Sequence, residues 1–126
     1  MAADRRITDK GKFVANHKKV FRISHLNAGV GYFGLAYPTP NRSWPFSNWL
    51  PDFIKRSSRT KTLGEFAQLL TENLNKVVSK SALDLQASGF HICGYNERNQ
   101  PEMWFISNIE KMDGFYYSGL SDWRRL

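Results

Sequence analysis

The sequence predicts an α+β domain, with antiparallel strands at both ends of the chain and two helices in the middle. Two observations carry this. Runs with period-two alternation and β-forming residues cluster in residues 19–36 and 89–119. The helical patterns fall consecutively between them, without the strand–helix alternation of a doubly wound parallel sheet. Residues 1–126 have the length of one domain with a core of its own.

The first strand is "KVFRIS", in which Phe21 and Ile23 share one side and Arg22 points the other way. "HLN" is a turn. "AGVGYFGLA" follows as a second strand, whose glycines suit close backbone approach, and the two runs are near enough to form a hairpin.

"YPTPNRSWPF" reads as a loop, punctuated by Pro38, Pro40 and Pro45. A short helix is expected over "SNWLPDFIKRSS", with Ser47 as N-cap and Pro51 in or just after the first turn. Its apolar face is Trp49, Leu50, Phe53 and Ile54. "TLGEFAQLLTENLNKVV" is the clearest helix. Thr62 and Glu65 stand at capping-box spacing, and Leu63, Phe66, Ala67, Leu70, Leu74, Val77 and Val78 recur at helical spacing.

"GFHICGYN" and "EMWFISNI" form the next hairpin around the turn "ERNQP". "KMDG" turns again, "FYYSG" is a third short strand, and "LSDWRRL" begins a helix.

Composition bounds the function. Aromatic residues at 14% argue against disorder. The single cysteine, Cys93, excludes an internal disulfide and reads as an inert core residue of an apolar strand. No apolar run has the length of a membrane span, so a cytoplasmic location and no membrane partner are expected. His17, His25 and His91 have no partner at metal-ligand spacing, and no metal or cofactor is expected.

The net charge is +7, from 18 Lys and Arg against 11 Asp and Glu. Such a balance suits nucleic acid or another acidic partner. The basic residues fall into two clusters, around Arg5–Arg22 and Lys55–Lys61, and neither carries a zinc-finger, RNP-like or recognition-helix pattern. Solvated faces account for them more simply. Trp44, Phe46, Trp49 and Phe53 fall within ten residues and suggest an apolar patch that meets another subunit, with self-association as the expectation.

"AADRRITDKGKFVANHKKVFRI", followed by "GVGYFGLA", resembles the proteasome β-subunit type of N-terminal-nucleophile (Ntn) hydrolase. That family shows an A-A-D-x-R-like strand end, a turn, a K-K-I/V-x-x-I strand and a strand ending in glycine. Two central helices and a hairpin with a glycine in its first strand come next. Element order extends the resemblance over nearly the whole chain, and the specific residues lie in positions 2–36.

The resemblance implies a four-layer αββα sandwich of antiparallel sheets and a threonine-type peptidase or other amide-bond hydrolase. An N-terminal Thr, Ser or Cys would attack the carbonyl, with its own amine as base. By residue, the resemblance assigns Asp4 as the orienting carboxylate and Lys19 as the catalytic lysine, with Lys18 open as its alternative. Gly34 takes the oxyanion position, and Ser118 resembles the serine of the family's G-S-G segment, a tyrosine standing for the first glycine. It also implies a peptide or protein substrate and assembly into a homo-oligomer or ring.

In the family, a strand beginning with the nucleophile precedes "AADRR"; here Met1 lies inside that region, so the first strand and the C-terminal part are expected to be missing. The chain as written is then an inactive fragment or relative. Two other functions remain open: a non-catalytic scaffold subunit of a ring, and a basic nucleic-acid-binding α+β domain. Each site residue also has a plainer role. Asp4 beside two arginines suits a surface ion pair, Lys18 and Lys19 suit a charged strand edge, and Gly34 suits close packing.

Overall fold

The computed structural model describes residues 6–9, 12–16, 18–39, 44–80, 87–109 and 114–120; for 6–9, 12–16 and 120 it describes the backbone alone. It is an α+β fold: one five-stranded antiparallel sheet with two helices on one side, and a separate two-stranded hairpin.

The hairpin consists of β1 (Arg6–Asp9) and β2 (Lys12–Asn16), antiparallel, with an irregular register between Ile7 and Thr8. Neither strand was expected from residue pattern. The sheet runs β3 (Val20–Ile23), β4 (Ala28–Phe33), β5 (Gly89–Tyr95), β6 (Pro101–Ser107) and β7 (Tyr116–Leu120), each beside its neighbour in sequence. Both expected hairpins form. Phe21 pairs with Val30 across β3 and β4, and Ile92 with Trp104 across β5 and β6.

Two boundaries move. Pro101, expected in a turn, opens β6. The turn is closed instead by Asn96, whose Oδ1 accepts from the N–H of Arg98 and of Gln100, both at 3.0 Å, while Asn99 takes the left-handed φ of 58° that asparagine tolerates. Leu120, expected to begin a helix, ends β7; residues 121–126 lie outside the described residues.

The helices are α1 (Phe46–Arg56) and α2 (Leu63–Val77). Ser47 is not the cap of α1. Pro45 holds the N-cap position with no side-chain bond, its carbonyl accepts from the N–H of Asn48 and Trp49, and Pro51 lies inside the helix. The apolar spacing wins here, because Phe46, Trp49, Leu50, Phe53 and Ile54 all enter the core. In α2, Thr62 Oγ1 accepts from Glu65 N at 3.1 Å, as the spacing predicts. The return bond goes one residue further back, from Lys61 N to Glu65 Oε2 at 2.7 Å.

The core lies between the helices and one sheet face. That face presents Phe21, Ile23, Val30, Tyr32, Phe90, Ile92 and Ile106 to Trp49, Leu50, Phe53, Phe66, Leu70 and Leu74. The expected apolar patch is therefore mostly interior. Phe46, Trp49 and Phe53 are buried in this core, and only Trp44, at 46%, is exposed. Local sequence clustering cannot tell a core-facing aromatic group from a surface one. Among the described residues, no helix is long and apolar enough to cross a membrane.

Candidate functional site

Lys19 and Gly34 lie on neighbouring strands at one end of the sheet. Lys19 immediately precedes β3, and its carbonyl accepts the N–H of Tyr32 at 3.1 Å. Gly34 follows the last residue of β4, two positions beyond Tyr32. Strand geometry brings the two backbones within about 10 Å of each other. Lys18 sits in a different environment: exposed, with Nζ 5.1 Å from the Phe21 ring centroid, and its carbonyl accepting from Tyr32 Oη at 3.3 Å. Burial first, and Tyr37 second, raise the Tyr32 pKa above its ordinary value, so this phenol stays neutral and serves as a donor.

Gly34 has φ of +91°, and a Cβ there would run into the Ala87 carbonyl oxygen and come within 2.7 Å of the Ser88 Cα. Close packing therefore requires glycine at this position whatever its chemistry. Around it lies a buried polar knot. Leu35 N donates to Ser88 Oγ at 3.0 Å, Ser88 N to Asn108 Oδ1 at 2.7 Å, and Asn108 N to the Ser88 carbonyl at 3.2 Å. Ser88 and Asn108 are 2% and 0% exposed, so these bonds hold the end of β4 to the start of β5 and the end of β6 without competition from water. Neither Ser88 nor Asn108 was singled out from the sequence, where only the glycine marks the place.

Ser118 lies on the opposite edge strand of the sheet from Lys19. It pairs with Phe105 on β7, in the row Gly31–His91–Phe105–Ser118. Three strand spacings put it about 14 Å from Gly31. Asp4 lies outside the described residues.

That row belongs to the sheet face turned away from the helices. The face carries Phe33, whose ring stacks on Phe105 with centroids 6.3 Å apart, and His91, 4.7 Å from Phe105. Phe33 is 36% exposed. Burial lowers the His91 pKa below its ordinary value, which favours the neutral ring. Cys93 shares this face and pairs with Met103. It is partly exposed and lies outside the core cluster, a correction to its expected core position; burial still raises its thiol pKa. The alternation of β5 sends Phe90 and Ile92 inward, and so Cys93 outward.

His25, in the turn between β3 and β4, places Nε2 2.8 Å from Thr60 Oγ1 and ties that turn to the α1–α2 connection. Among the described residues, no group of three or more His, Cys, Asp or Glu could hold a metal ion. A groove of about 310 Å³ runs along α2 beside Arg59 and Thr60, lined by Glu65, Gln68, Leu69 and Glu72, on the helical layer rather than the sheet face.

No protein-family model matches the chain, and comparison with curated proteins yields no match.

Proposed function

We propose that the chain is a proteasome-β-like Ntn-hydrolase domain, whose parent is a threonine-type peptidase or other amide-bond hydrolase assembled as an oligomer or ring. The observation that carries this reading is the nearness of Lys19 and Gly34, two of the three matched residues that fall within the described part of the chain. A lysine cation there would lower the pKa of a nucleophile held between them, and a backbone N–H beside the glycine would bind the oxyanion.

The four-layer sandwich is part of the proposal. Its support is the strand order, with two helices inserted after the second strand of a five-stranded meander and packed on one side. The opposite face is aromatic and half-exposed around Phe33, His91 and Phe105, suited to cover by a second sheet. The resemblance assigns no residue of this chain as nucleophile. The position of Ser118, across the sheet from Lys19 and Gly34, favours the non-catalytic scaffold as the second reading.

Expression from the natural reading frame with its flanking DNA tests the choice. Hydrolysis of a fluorogenic peptide, reduced about 100-fold or more by Lys19→Ala and unchanged by Lys18→Ala, is the result expected of the enzyme. Circular dichroism checks that both variants fold. An assembled ring without turnover would leave the scaffold. Salt-sensitive nucleic-acid binding with neither ring nor turnover would overturn both.

A further inference from the structure

We draw no further inference here: the strongest candidate, the half-exposed aromatic face of the five-stranded sheet around Phe33, His91 and Phe105, already serves the sandwich reading above, and nothing among the described residues shows what else covers it.

Discussion

Asn75 holds the backbone of Phe115 by both ends of its side-chain amide: Oδ1 accepts from Phe115 N at 2.7 Å, and Nδ2 donates to the Phe115 carbonyl at 3.1 Å. The pair fastens the approach to β7 onto α2, and the Phe115 ring enters the core at 2% exposure. Asn75→Ala removes both partners and leaves a backbone donor and acceptor unsatisfied, at a cost of about 1–3 kcal/mol. A urea midpoint lowered at constant m is the expected outcome. An unchanged midpoint would mean that water replaces the amide without loss.

Gly34→Ala forces a Cβ into a left-handed backbone position and against Ala87 and Ser88. Strain of about 1–3 kcal/mol follows from the dihedral alone, before the clash is counted. Thermal unfolding should show a lowered Tm. A Tm equal to wild type would deny the close approach between the end of β4 and the start of β5.

The Thr60 hydroxyl has one hydrogen, and it is donated to the Ser57 carbonyl at 2.8 Å. His25 Nε2 must then be the donor in its own 2.8 Å contact with Thr60, which selects the Nε2–H tautomer of the neutral ring. Nitrogen-15 chemical shifts of the imidazole report this directly, and a ring protonated at Nδ1 alone would refute it. Thr60→Val removes both bonds and should cost about 1–3 kcal/mol.

His91 makes stability depend on pH. Its folded pKa is lowered, so below the ordinary value of 6.5 the unfolded chain binds the proton more readily than the folded one. The contribution is fully present above that value and is lost as pH falls towards the folded pKa. Between pH 7 and 5, wild type should lose more stability than His91→Gln, compared as slopes of urea midpoint against pH. Parallel slopes would remove His91 as the source.

Much of the fold was legible because its signals are local. Phe21 and Ile23 alternate with Arg22 within one strand, and Leu63, Phe66, Leu70 and Leu74 repeat within one helix; each pattern needs only its own segment to be recognised. The Thr62 cap is equally local, because donor and acceptor are three residues apart. Less legible was the start of α1. Ser47 is the better capping residue by type, yet burial of Phe46 and Trp49 starts the helix two residues earlier than a Ser47 cap would.

Sequence pattern alone establishes the element order from β3 to β7, the apolar face of β3 and of both helices, and Gly34 as a position to watch. Packing in three dimensions was needed to show that both helices cover the same sheet face, that Phe46, Trp49 and Phe53 are interior, and that Ser118 stands across the sheet from Lys19. It alone joined Gly34 and Leu35 to Ser88 and Asn108, through bonds that span 53 and 20 residues of chain. Such contacts leave no periodicity in the sequence. Their partners are brought together by sheet register, and register follows from the packing of the whole apolar face rather than from any one segment.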